Sequence, residues 1–98
     1  MNKRVLVVDD DESFRRVLCR ALQLAGYEVA AAADGAAALK AYEEQPAELV
    51  ITDLIMPEKE GLELIMDLRR IQPPPSIIAI SGGLYGNLYD LVEREFRQ

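Results

Sequence analysis

Apolar residues in this chain recur in two alternating rhythms. Val5 to Val8 is a continuous apolar run rich in β-branched side chains, which predicts a strand buried on both faces. Phe14, Val17, Leu18, Ala21, Leu22 and Ala25 then follow helical spacing. Asp11, Glu12 and Ser13 fall where the first turn of that helix favours caps and carboxylates, and Gly26 stops it. Glu28 to Ala33 reads as a weak, alanine-rich strand. A helix is expected from about Gly35 to Glu44, ended by Gln45-Pro46. Leu49 to Thr52 is the second strong buried strand. Next comes a helix from about Gly61 to Ile71, with Leu62, Ile65, Met66 and Leu68 as its apolar positions, and Pro73-Pro74-Pro75 ends it. Ser76 to Ile80 is the third strong strand, closed by Ser81-Gly82-Gly83. The tail carries Leu84, Leu88, Leu91, Val92 and Phe96 at helical spacing.

Strand–helix alternation with two-sided apolar strands predicts an α/β fold, a doubly wound parallel sheet with helices on both faces. The reactive rim of such a sheet is the carboxyl end of its strands. Asp9, Asp10 and Asp11 end strand one, Asp53 ends strand three and Ser81 ends strand four. In the flavodoxin-like order 2-1-3-4, strands one and three are neighbours, so Asp9, Asp10 and Asp53 are expected to converge. Taken singly, each residue has a plainer reading as a turn or cap, and for Asp11 capping is the expectation. Taken together, packed carboxylates repel, and some would have to take up protons. A hard divalent cation removes that cost, and a small all-oxygen donor set suits Mg²⁺ better than zinc.

Composition narrows the chemistry. The 98 residues are 50% hydrophobic and 29% charged, ordinary for one globular domain. A formal charge of −6 argues against direct nucleic-acid binding through a basic face. No apolar run approaches a membrane span, and the start MNKRVLVVDDDES is unlike a signal peptide, so a cytoplasmic protein is expected. With no histidine and the single Cys19, imidazole triads, histidine-ligated zinc, internal phosphohistidine and thiolate metal sites are excluded within this sequence. Chemistry must run on carboxylates, hydroxyls, lysines or backbone groups.

Three segments in order, VLVVDDDES, VITDLIMPEKEGLELI and IIAISGG, resemble the receiver domain of bacterial two-component response regulators. The resemblance covers residues 4 to about 83. It implies that Asp53 accepts a phosphoryl group from a sensor histidine kinase. It further implies that Asp9 and Asp10 hold Mg²⁺ together with Asp53 and the backbone carbonyl of Ile55. Ser81 would hydrogen-bond the phosphoryl group and switch position, and a downstream output protein would read the change. Such a domain is a signalling element and not an enzyme, although self-phosphorylation from small donors and self-dephosphorylation belong to its repertoire. Ile55 and Gly83 carry no polar side chain to position a water, so slow self-hydrolysis is expected.

The sequence also departs from that family. Glu60 stands where the motif MPxxDG has Asp. The usual fifth strand, the lysine at its end and the fifth helix are not found, and no lysine follows Lys59. An unpaired edge at strand four and a partly uncovered sheet face would then be expected to drive self-association, with the helix of Tyr85, Tyr89 and Phe96 packing on a second copy; a fragment of a longer chain is the competing account. Two other functions stay open. One is a pseudo-receiver, the same fold used as a phosphorylation-independent binding or dimerisation module. The other is a phosphatase, because Asp9, Asp11 and Ser13 in D-x-D-x-S spacing look like the haloacid-dehalogenase nucleophile motif, which would make Asp9 the nucleophile.

Overall fold

The computed structural model describes residues 3–54, 56, 61–80 and 88–96, the side chains of 88–91 excepted. The elements run β1 (Arg4–Val8), α1 (Glu12–Leu24), β2 (Glu28–Ala32), α2 (Gly35–Glu44), β3 (Leu49–Asp53), α3 (Gly61–Arg69), β4 (Ser76–Ile80) and α4 (Leu88–Phe96). The strands form one four-stranded sheet in the order β2-β1-β3-β4, and every pairing is parallel. This is the expected flavodoxin-like doubly wound order, and no fifth strand occurs among the described residues.

Alternation along each strand sends successive side chains to opposite faces. On one face, Val5, Val7, Leu49, Ile51, Ile78 and Ile80 pack with Leu18 and Leu22 of α1 and Val92 of α4. On the other, Leu6, Val8 and Val50 pack with Ala38 and Tyr42 of α2 and Leu64 and Leu68 of α3. Covering both faces is what continuous apolar strands require. Local signals set the helix ends. The Asp11 carboxylate accepts from the Phe14 N–H at 3.1 Å, and Asp34 caps α2 by accepting from the Ala37 N–H at 2.8 Å. Gly26, at φ 101°, takes the left-handed conformation that ends α1.

The helix faces differ from expectation. In α1 the core side is Leu18 and Leu22, with Phe14 and Cys19 beside them, whereas Val17 is 68% exposed and Ala21 faces solvent. Two overlapping stripes satisfy the spacing, and the sheet takes the one with the larger apolar area. In α3, Leu64 and Leu68 are buried while Leu62 and Met66 are 58% and 52% exposed. Here Gly61 decides the rotation. Its N–H donates to the Leu54 carbonyl at 2.9 Å, which seats that side of the helix on the end of β3, and Leu64 and Leu68 follow three and seven residues on.

The last helix changes the expectation of self-association. Tyr85 and the Tyr89 side chain lie outside the described residues. Val92, however, is fully buried in this chain's own core beside α1, and the Phe96 ring stacks on Tyr27 at a centroid distance of 5.1 Å. The face expected to be partly uncovered therefore carries α4 as well as α1, and Phe96 is engaged within the same chain.

Val92→Ala is expected to lower stability by roughly 2 kcal/mol through lost burial and a residual cavity. Val17→Ala should stay within about 0.5 kcal/mol. Urea unfolding followed by circular dichroism checks both. A midpoint that rises with protein concentration, or a neutral Val92→Ala, would show α4 packing on another molecule instead.

Candidate functional site

Strand register builds the site. Val8 pairs with Thr52 across β1 and β3, so the next residues along, Asp9 and Asp53, emerge side by side at the carboxyl rim. Asp53 is the last residue of β3 and pairs with Ile80 of β4. Its surroundings are tied down by backbone bonds. The Leu54 N–H donates to the Ile80 carbonyl at 2.9 Å, the Thr52 hydroxyl to the Asp53 carbonyl at 2.9 Å, and the Asp9 N–H to the Ala32 carbonyl at 3.2 Å. Met56, 2% exposed, lies in the core shared with α2 and α3.

Asp9, Asp10 and Asp53 each bring a carboxylate oxygen into one group whose members lie within 4.8 Å of one another. They differ in exposure: Asp9 is buried, Asp53 half-buried and Asp10 exposed. Asp9 is only 1% exposed, its Oδ1 accepts the Asp11 N–H at 2.9 Å, and its buried Oδ2 has no hydrogen-bond partner. Burial pushes the Asp9 carboxyl above its ordinary pKa; the Asp11 N–H pulls the other way, and the charges of Asp53, Asp10 and Asp11 raise it further. The Arg15 guanidinium approaches but donates to the Asp9 backbone carbonyl at 2.7 Å, not to its carboxylate.

A desolvated carboxylate oxygen without a donor, next to two further carboxylates, is a poor arrangement for the chain alone and a good one for a small hard cation. Oxygen-only donors favour Mg²⁺ over thiophilic or imidazole-seeking metals. The residues present therefore fit the expected ion.

Of the residues singled out in the sequence, the structure brings Asp9, Asp10 and Asp53 together and gives Asp11 the capping role. Ile55, Lys59, Ser81, Gly82 and Gly83 lie outside the described residues. Two contributors were not legible as such. Arg15 reads as an ordinary surface cation on α1, and only its position six residues after Asp9, in the first turn, hints at its reach. Gly61 reads as a helix start, yet a side-chain carbon placed there would overlap the Asp53 carbonyl oxygen and the Leu54 backbone.

The response regulator receiver domain family matches residues 5–91 of the chain. The receiver protein CpdR of Brucella abortus is 41% identical over 80 residues, 82% of this chain and 67% of CpdR. Longer transcriptional regulators also match, and of these the chain spans only 16% to 34%. Among solved structures, the receiver domain of the hybrid histidine kinase CckA superimposes with a TM-score of 0.82 at 30% identity, covering 96% of this chain and 99% of that one. The response regulator TrrA of Thermotoga maritima, solved in complex with Mg(2+)-BeF, gives a TM-score of 0.79 at 27% identity and the same coverages, 96% and 99%.

Two outcomes follow from the geometry. Asp9 holds its proton to higher pH when folded than when unfolded, so its ionised form opposes folding at neutral pH, and this opposition fades as pH falls through the raised value toward 3.8. Asp9→Asn should therefore raise the thermal midpoint at pH 7 in metal-free buffer, with a gain that shrinks on acidification. A pH-independent effect, or a loss at pH 7, would contradict the electrostatic account. Gly61→Ala should cost about 3 kcal/mol or more because backbone must move to admit the methyl group, measurable as a lower urea midpoint.

Proposed function

The chain belongs to the response regulator receiver domain family, and from that premise we propose that it works as a phosphorylation-controlled signalling domain with Asp53 as the acceptor. The observation that carries this reading is the meeting of Asp53 with Asp9 and Asp10 at the carboxyl rim, one of their oxygens buried without a partner. The donor is the phosphohistidine of a sensor histidine kinase, and location in the cytoplasm follows from that donor. An Asp53 carboxylate oxygen attacks phosphorus, the phosphorus–nitrogen bond breaks, and the departing imidazole leaves with the bonding electrons and takes up a proton. The product is an acyl phosphate on Asp53.

Exposure separates the carboxylates by role. Asp53 is half-buried, so it can meet a donor while its backbone stays fixed by β4. Asp9, at 1% exposure with one oxygen held by the Asp11 N–H, is placed to hold an ion and badly placed to attack a substrate. This weighs against the phosphatase reading with Asp9 as nucleophile. Asp9, Asp10 and Asp53 are the side chains that would hold Mg²⁺, with the Ile55 carbonyl added by family resemblance. When bound, the ion supplies neutralisation of the charge that the transferring phosphoryl oxygens carry. Ser81 is the residue we assign to hydrogen-bonding the phosphoryl group. The added charge of up to about −2 biases the rim between two arrangements, and a downstream output protein reads the difference.

Incubation with Mg²⁺ and acetyl phosphate, followed by intact mass, should add one phosphate. Asp53→Asn and chelation of the metal should each abolish the gain. A folded protein that takes up no phosphate would instead be a phosphorylation-independent binding module.

A further inference from the structure

We propose that Arg15 is a positioning residue of the acidic site, fixing the turn between β1 and α1 so that the Asp9 and Asp10 carboxylates are held in place for a divalent cation. This rests on the reading of the acidic cluster as a cation site. The turn is closed by a ring of bonds. Arg15 Nη1 donates to the Asp9 carbonyl at 2.7 Å, and the Arg15 N–H donates to the Asp11 carbonyl at 2.9 Å. The Asp11 N–H donates to Asp9 Oδ1 at 2.9 Å, and Asp11 Oδ1 accepts from the Phe14 N–H at 3.1 Å. One arginine thus grips both ends of the segment that carries the acidic pair, and the ring commits Asp9 Oδ1 while Oδ2 stays unpartnered.

The choice of acceptor is informative. A guanidinium has a charge-assisted carboxylate bond within its chemistry, yet this one bonds the neutral backbone carbonyl of Asp9 and not its carboxylate. Asp9 Oδ2 is left without a partner, and the positive charge is used on backbone geometry. Its two effects on metal binding are opposite in sign. As a charge, Arg15 repels an incoming cation; as a clamp, it holds ligands in place, as outer partners of metal ligands do. Removing it shows which dominates.

The test is Mg²⁺ titration of the full chain by calorimetry, in the wild type, Arg15→Met, Arg15→Lys and Arg16→Met. Arg16 is exposed and pairs with Glu12 at 2.5 Å, so its loss removes the same charge one residue away without touching the ring. Positioning predicts that Arg15→Met weakens Mg²⁺ binding about tenfold or more, that Arg15→Lys recovers part of it, and that Arg16→Met binds as well as the wild type or better. Without metal, hydrogen exchange at the Asp11 amide should quicken in Arg15→Met while the Leu18 and Leu22 amides stay protected. Arg15→Met binding Mg²⁺ as tightly as the wild type, or tighter, overturns the proposal whatever the exchange shows. If Arg15→Met does not fold, Arg15→Lys decides: full wild-type affinity overturns the proposal. No Mg²⁺ binding by the folded wild type removes the cation-site reading itself, and this inference with it.

Discussion

The parallel pairing of β1 with β3 is the constraint on which the rest depends. Both strands are apolar on both sides, so both must lie inside the sheet with helices above and below. Parallel strands bring like ends together. With Val8 opposite Thr52, the residues just beyond the apolar runs have to share one rim, and those residues are Asp9 and Asp53. Moving the register by one residue would turn every core side chain of one strand to the opposite face. The burial of Val5, Val7, Leu49 and Ile51 therefore holds the carboxylates side by side against their mutual repulsion. The core supplies the free energy that keeps the site assembled.

Much of this was legible because it rests on local or strictly periodic signals. Three of the strands are apolar, β-branched runs that end before an oxygen-bearing residue, β2 is a weaker alanine-rich run, and the three aspartates converge once the flavodoxin-like order is taken. Asp11 as a cap is likewise local chemistry. Helix rotation was not legible where apolar residues outnumber those a single stripe can hold. Phe14, Val17, Leu18, Ala21 and Leu22 fit two stripes, and only the sheet chooses between them. In α3 the choice comes from a tertiary contact, the seat of Gly61 on the end of β3, and periodicity carries no trace of it. The reach of Arg15 to a carbonyl was hidden for the same reason, since an arginine reads as solvated until the fold gives it an acceptor.

The placement of α4 shows how a sheet of this width can cover itself. Right-handed crossovers put the helices of rightward and leftward connections on opposite faces. Here α2 and α3 share one face, and α1 alone would leave the inner strands under-covered on the other. Val92 and Phe96 fill that gap, Val92 in the core cluster on the α1 side of the sheet, with α4 lying against β4, and Phe96 against Tyr27 just past the end of α1. The apolar spacing of the tail announced a helix but not its side of the sheet, because an apolar stripe fits either face and the intervening connection decides.

A buried carboxylate oxygen with no donor is a stability cost that a chain under selection for folding alone could remove with one amide. Its retention makes sense if the site is complete only with an ion, because a ligand that binds the folded state alone adds its binding free energy to the fold. The burial that raises the Asp9 pKa, with its acidic neighbours adding to it, would then favour a bound cation, since the Asp9 carboxylate is already desolvated and oriented and loses little more on binding. On the proposed function, aspartate repulsion, metal affinity and phosphoryl acceptance would share one electrostatic origin. On that same function, charge added at Asp53 would act on neighbours that the pairing of β1 with β3 holds in place.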